Sequence, residues 1–262
     1  MAKYANLMKY ELKNILKDSM TKVMLIYPLF IIVVSSFIMP VVLERFGGDT
    51  AGTYIAALVI IVVFASIAPF ITAALLGFNL LDNRDDNTLD TIRVTPMSLK
   101  GYITFKSIYA YVLAVNASFL VIFATKHLSG DGYTFMGVNI FDNFTTGAII
   151  VYAFVAGLFT PAFGLLLSAL AKNKIEGFAY MKSAGMIIVL PALVVIETMQ
   201  DAKQYILGIV PIFWPVKGLM TSAELLEHSS NLPVWLYMVI GTVYTGVLIG
   251  VFYKVFDRKL QE

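Results

Sequence analysis

Four acidic residues fall within nine positions of this chain, Asp82, Asp85, Asp86 and Asp90. They open the stretch DNRDDNTLDTIRVTPMSLKGYITFK, residues 82–106, a polar island between two long apolar runs. Carboxylates this close together can meet basic groups on a docking partner, or they can keep a solvated loop out of lipid. A simple reversal of the chain needs far fewer residues, so the length favours a structured docking surface. Other residues with chemical potential are sparse. His127 lies near Asp131, and His228 stands four residues after Glu224 and next to Glu227. Both pairs read as solvated polar groups and not as a catalytic constellation. The absence of cysteine excludes disulfides, thiolate metal sites and a cysteine nucleophile. No G-x-x-x-x-G-K-[ST] phosphate loop and no Gly-Lys pair occurs, so the chain has no means of hydrolysing ATP by itself and is not expected to be an enzyme.

The elements that must position the island are set by composition. Of 262 residues 59% are hydrophobic and only 14% charged, and the mean hydropathy is +0.81. Soluble domains carry roughly 25% charged residues, so this chain cannot cover a water-exposed fold. The expected class is an all-α, polytopic membrane protein. Six apolar runs are long enough to cross about 30 Å of hydrocarbon at about 1.5 Å per residue. They cover about 23–43, 54–81, 102–125, 145–171, 175–198 and 234–256, in one transmembrane domain over 1–262. A further apolar stretch at 205–220, with Pro211 and Pro215, is too short to span and reads as re-entrant or outer interfacial structure.

Basic residues give an orientation. With the N-terminus in the cytoplasm, fifteen of the 19 Lys and Arg fall on the cytoplasmic side, leaving Arg45, Lys126, Lys203 and Lys217 outside. Only Lys and Arg set topology, so both termini are expected to be cytoplasmic and the protein to sit in the cell membrane. A net charge of +2 gives no reason to expect nucleic acid. Over residues 3–20, Tyr4, Leu7, Met8, Leu12, Ile15, Leu16 and Met20 recur at helical spacing, with Lys3, Lys9, Lys13 and Lys17 opposite. That pattern predicts an amphipathic helix lying in the headgroup plane, lysines toward anionic lipid. Within the island, Asp86 or Asn87 can cap a short helix. Leu89, Ile92 and Val94 supply its apolar edge, and Thr95 before Pro96 ends it.

These features resemble the permease subunits of type-2 (ABC-2) ABC exporters, in their multidrug or antibiotic branch. The resemblance rests on the amphipathic N-terminal helix, the six spans and the residues Asp85, Asp86, Thr88, Leu89, Thr95, Pro96 and Lys106 between spans two and three. The family pattern usually has glutamates, and a glycine before the threonine. This chain has aspartates and Asn87 there. Ser183-Ala184-Gly185 and Pro191 also look like the family's fifth span. The resemblance implies that segment 82–101 is a coupling helix for a cytoplasmic ABC ATPase, with Asp82, Asp85, Asp86, Thr88, Leu89, Asp90, Ile92, Thr95 and Pro96 at the contact. It also implies a second permease, either another copy or a homologue. ATP and Mg would be held by the ATPase, with no cofactor on this chain.

Polar groups inside the spans are candidates for a substrate route, namely Ser35, Thr72, Asn79, Asn116 and Ser118. Interhelical packing is the other reading of each, since an amide or hydroxyl in hydrocarbon needs a partner. Gly147, Gly157 and Gly164 in span four and Gly241, Gly246 and Gly250 in span six offer small faces for close packing, within one chain or between two. With aromatic side chains throughout and no deep charge, the cargo expected is amphipathic or hydrophobic: a drug, an antibiotic, a peptide or a lipid-linked molecule. The alternative is an ion-coupled transporter or channel acting without an ATPase. It would need ionisable groups near the midplane, whereas Glu44, Glu176 and Glu197 all sit at span ends.

Overall fold

The structure, a computed structural model, describes residues 19–86, 92, 98–225 and 231–259. Of the expected interfacial helix only Ser19 and Met20 are among them, opening the first helix. The rest of that expectation lies outside the described residues. Within the described residues six helical units are long and apolar enough to cross a membrane: Ile26–Gly47, Ala51–Asp85, Leu99–Leu128, Thr146–Leu170, Lys174–Val195 and Val234–Lys259. The chain is an all-α, multi-pass membrane protein. Large apolar side chains such as Phe30, Phe37, Ile108, Met186 and Val243 remain exposed on the protein surface, as a lipid-facing belt requires, because hydrocarbon solvates them and water does not.

The first unit contains α1 (Ser19–Val33), one π-helical turn (Val34–Ile38) and α2 (Met39–Gly47). The wide turn exposes the Ser35 carbonyl, which accepts the Tyr133 hydroxyl at 2.6 Å. Next, α3 (Ala51–Asp85) and α4 (Leu99–Leu128) form a long helical pair. A Gly130–Tyr133 3-10 turn and a two-residue hairpin, Thr134–Phe135 with Val138–Asn139, follow α4 and cap that end of the bundle. Met136 and Gly137 at its tip both have positive φ (53° and 78°), the backbone a tight two-residue hairpin turn demands.

The fourth unit is broken into α5 (Thr146–Gly157) and α6 (Phe159–Leu170). Pro161 lies in the first turn of α6, where its missing N–H costs least. The fifth is α7 (Lys174–Ile187) followed by a 3-10 segment, Leu190–Val195, with Pro191 as its second residue. Segment 205–220 forms the end of a 3-10 stretch, Ala202–Ile209, and most of a short helix, α8 (Phe213–Ser222), before α9 (Val234–Lys259) closes the chain. Helix starts carry side-chain caps: Thr50, Ser98, Thr145 and Asn173 each accept the backbone N–H three residues on.

Close packing is built on glycine at three of the expected positions. A Cβ on Gly164 would meet Leu76 at 2.8 Å and the Ala73 carbonyl at 3.0 Å, so α6 lies directly on α3. Gly157 lets α5 approach Val115 and Tyr111 of α4, and Gly241 lets α9 approach Trp214 and Val155. Among the described residues nothing lies within 4 Å of where a Cβ would stand on Gly147, Gly246 or Gly250. Pro69 inside α3 cannot donate to the Ala65 carbonyl, and the Tyr152 hydroxyl does so instead at 2.6 Å.

Candidate functional site

The acidic island begins differently from the expected layout. Helix α3 continues one turn past Leu81, so Asp82 and Asp85 belong to it, and Asp86 closes it, its N–H donating to the Asp82 carbonyl at 2.8 Å. At the other side Ser98 caps α4 and the helix begins at Leu99, three residues before the expected start. The longer helices follow from what the island's polar residues bind. Arg84 reaches back across the end of α6 and donates to the carbonyls of Ala171 and Lys172, both at 2.7 Å, and of Ser168 at 3.3 Å. Those carbonyls have no helical N–H ahead of them, and a guanidinium there also matches the negative end of the helix dipole. Asn83 donates to the Tyr102 hydroxyl at 3.0 Å, tying α3 to the start of α4. The Lys106 ammonium lies 5.5 Å from the centre of the Tyr102 ring, and the residue is buried despite its charge. Asp82 pairs with Lys174 of α7 at 2.7 Å, a half-exposed pair of small energetic weight.

The ends of α3, α4, α6 and α7 are therefore joined at one junction. Gly177 adds to this, because its missing side chain leaves room for Leu81 and Phe78 at 3.0 Å from where a Cβ would be. Phe78 and Phe178 pack with ring centres 4.5 Å apart. Of the island itself, Asp85 and Asp86 are exposed and Ile92 is half-buried in helical backbone. Thr88, Leu89, Asp90, Thr95 and Pro96 lie outside the described residues. Sequence reasoning counted Arg84 only as a charge. Its isolation among four acids was the available signal that it serves the fold instead.

The route candidates separate into two groups. Thr72 and Asn116 line one cavity of about 140 Å³ between α1, α3 and α4, together with Tyr27, Pro28 and Leu120. Tyr27 hydrogen-bonds to Thr72 at 2.7 Å and donates to the Ala68 carbonyl. Asn116 donates to Val112 of its own helix at 2.7 Å and is exposed at the protein surface, on the rim of this cavity. Ser35 is instead fully buried and bonded to Thr125 at 2.6 Å, joining α4 to the π turn. Ser118 is fully buried as well. Asn79 lies nearer the junction and donates to Leu75 in its own helix. A larger cavity of about 590 Å³ opens at the hairpin end, with Glu44, Asp49 and Asp131 around it. Segment 205–220 brings one unexpected residue. Lys217 of α8 has no exposed surface and its ammonium no hydrogen-bond partner among the described residues. Burial pushes its pKa down to about 8.

Six helices long and apolar enough to cross a membrane, joined at one end by a polar junction knitted from helix ends, define a multi-pass membrane protein. Comparison with known proteins narrows this. A family model described as "Fluoroquinolones export permease protein Rv2686c-like" matches residues 11–253, so the chain belongs to the Rv2686c-like family of fluoroquinolones export permeases. Two relatives from Mycobacterium tuberculosis, the fluoroquinolones export permease proteins MT2760 (strain CDC 1551 / Oshkosh) and Rv2686c (strain H37Rv), are each 29% identical over 217 residues. The alignment covers 82% of this chain and 77% of each relative. The family is one of export permeases and not of enzymes.

Proposed function

We propose that this chain is the membrane subunit of an ATP-driven, type-2 ABC exporter that moves amphipathic drug-like molecules, fluoroquinolones among them, out of the cytoplasm. It works in the cell membrane as a pair of permeases, with both termini and segment 82–101 cytoplasmic. A separate ABC ATPase binds ATP and Mg and docks against that segment. The observation that carries this reading is the set of contacts made at the end of α3 by Asp82, Asn83 and Arg84. A docking element joined to α3 by a flexible linker could move without consequence. One whose base is tied to the ends of α4, α6 and α7 transmits any displacement into the bundle, because packed helices shift as bodies. Membership of a family named for drug export supports the cargo class.

The test is a mild-detergent purification of the tagged chain from its own membranes, with bound proteins identified and ATPase activity assayed. An ABC ATPase that co-purifies, and is lost when 82–100 is replaced by a flexible linker, supports the reading. A stable chain with no ATPase in either form refutes it.

A further inference from the structure

Two neighbouring helical units are interrupted at the same depth. Pro69 of α3 has no N–H to give the Ala65 carbonyl, and Pro161 of α6 has none for the Gly157 carbonyl. The ladder of the fourth unit is thin at that point, where Ala162 donates to the Leu158 carbonyl only at 3.5 Å. At about 1.5 Å per residue, Pro69 lies roughly 27 Å from the start of α3 and 24 Å from its end. Leu158 lies roughly 18 Å from either end of its unit by the same measure. Two fully buried hydroxyls show that the interruptions are level. Tyr152, on the hairpin side of the break, donates to the Ala65 carbonyl at 2.6 Å. Thr160, on the junction side, donates to the Pro69 carbonyl at 2.9 Å. The Tyr27 hydroxyl of α1 reaches the Ala68 carbonyl between them.

On the junction side, α3 and α6 are one body. Gly164 sits against Leu76 and the Ala73 carbonyl, and a Cβ on Gly77 would stand 2.7 Å from Leu167. Arg84 then ties the two ends through the carbonyls of Ser168, Ala171 and Lys172. On the hairpin side they part. There α5 packs chiefly on α4, through Gly157, and on α8, and only lightly on α3. The other neighbour of α6 is α9, whose Ile249 and Phe256 share an apolar cluster with Leu165, a contact that permits sliding.

We infer that the junction-side half of α3 and the whole of α6 form one lever, which pivots in mid-membrane on the paired interruptions at Pro69 and Leu158. Tyr152 and Thr160 are the positioning residues of the pivot. The inference rests on the exporter reading above. A single kinked helix needs only one proline. Two interruptions side by side, in helices fused below them and separated above them, put one flexible line across both. Bending there breaks no main-chain bond to Ala65 or Gly157, and a tyrosine hydroxyl can follow its carbonyl by side-chain rotation. The arm from Pro69 to Asp85 is roughly 24 Å, so a tilt of about 10° moves the docking end about 4 Å.

The chain holds no cysteine, so spin labels go on introduced ones, in the full-length chain with its co-purified ATPase in lipid nanodiscs. One pair, Phe154→Cys with Leu170→Cys, spans the break from exposed positions on α5 and α6. The other, Ile71→Cys with Leu170→Cys, lies wholly on the junction side. Between the nucleotide-free and vanadate-trapped states the first distance should change by about 3 Å or more, while the second holds within about 1 Å. Pro69→Ala returns a donor to Ala65 and should suppress that change. It should lower transport per ATP hydrolysed about threefold to tenfold, with ATPase binding and thermal stability retained. Oxidising Gly77→Cys with Leu167→Cys links α3 to α6 inside the lever, and transport should survive. A first distance that stays fixed, a second that changes as much as the first, or full transport by Pro69→Ala each overturns the lever. So does a cross-link that stops transport until it is reduced. In all four cases, ATP-driven export by the unmodified chain leaves the exporter reading standing. No ATP-driven export by the unmodified chain overturns both.

Discussion

Arg84→Ala should loosen the junction selectively. The guanidinium makes two short hydrogen bonds at 2.7 Å and one long one at 3.3 Å to the end of α6. Buried charged hydrogen bonds contribute about 1.5–3 kcal/mol each. Arg84 is only half-buried and water can re-solvate the freed carbonyls, so about 1 kcal/mol for each short bond is the appropriate scale. A loss of about 2 kcal/mol raises the open population of the junction about thirtyfold. Arg84→Lys keeps the charge but replaces a fork of donors with a single ammonium, and should cost about half as much. Hydrogen exchange of the backbone amides of 169–173 reads this directly, and transport per ATP hydrolysed reads its consequence. The expected order is unmodified, Arg84→Lys, then Arg84→Ala in both measurements. Unchanged exchange in Arg84→Ala would refute the clasp, and faster exchange with undiminished transport would refute its role in transmission.

Gly164→Ala should lower thermal stability by about 1–3 kcal/mol in detergent, because the new methyl meets the Ala73 backbone, which cannot yield as a side chain would. A neutral result would mean that α3 and α6 are less tightly apposed than described. Tyr152→Phe leaves the Ala65 carbonyl without its donor in an apolar interior and should cost about 1–3 kcal/mol. In a Pro69→Ala background, where a backbone N–H can take over, the same change should cost less. Equal costs in the two backgrounds would contradict the account of Pro69. Lys217 has a folded pKa of about 8, below the roughly 10.4 of an unfolded lysine. The penalty for burying its charge is therefore full below pH 8 and relieved as pH rises toward 10. The melting temperature should climb over that window, and Lys217→Met should raise it by an amount reflecting roughly 3 kcal/mol at pH 7 while flattening the dependence. Stability that falls between pH 8 and 10 would contradict this.

The six crossing units were legible because a run of about 20 apolar residues has few other fates. The helix starts at Thr145 and Val234 needed nothing beyond local sequence, since a cap or a proline stands at each. What stayed hidden depends on partners distant in the chain. The π turn at Val34–Ile38 owes its satisfied carbonyl to Tyr133, 98 residues away. The break at Leu158 follows from Gly157 and Gly164 facing different neighbours, which a pattern of small residues does not disclose. At the island the carboxylates were conspicuous and Arg84 was not, although the arginine, through carbonyls 84 to 88 residues on, fixes how α3 ends. Thr72 and Asn116 were marked only as polar groups in apolar helices. Their meeting in one cavity is a matter of helix rotation, which near-uniform hydrophobicity around α3 and α4 leaves undetermined.

The most direct test is fluoroquinolone uptake into inside-out vesicles containing the chain and its co-purified ATPase, with and without ATP and with the proton gradient collapsed. ATP-dependent uptake that survives the uncoupler and is abolished by the double change Asp85→Lys, Asp86→Lys is the predicted result. Uptake that proceeds without ATP and disappears with the gradient would show an ion-coupled transporter instead.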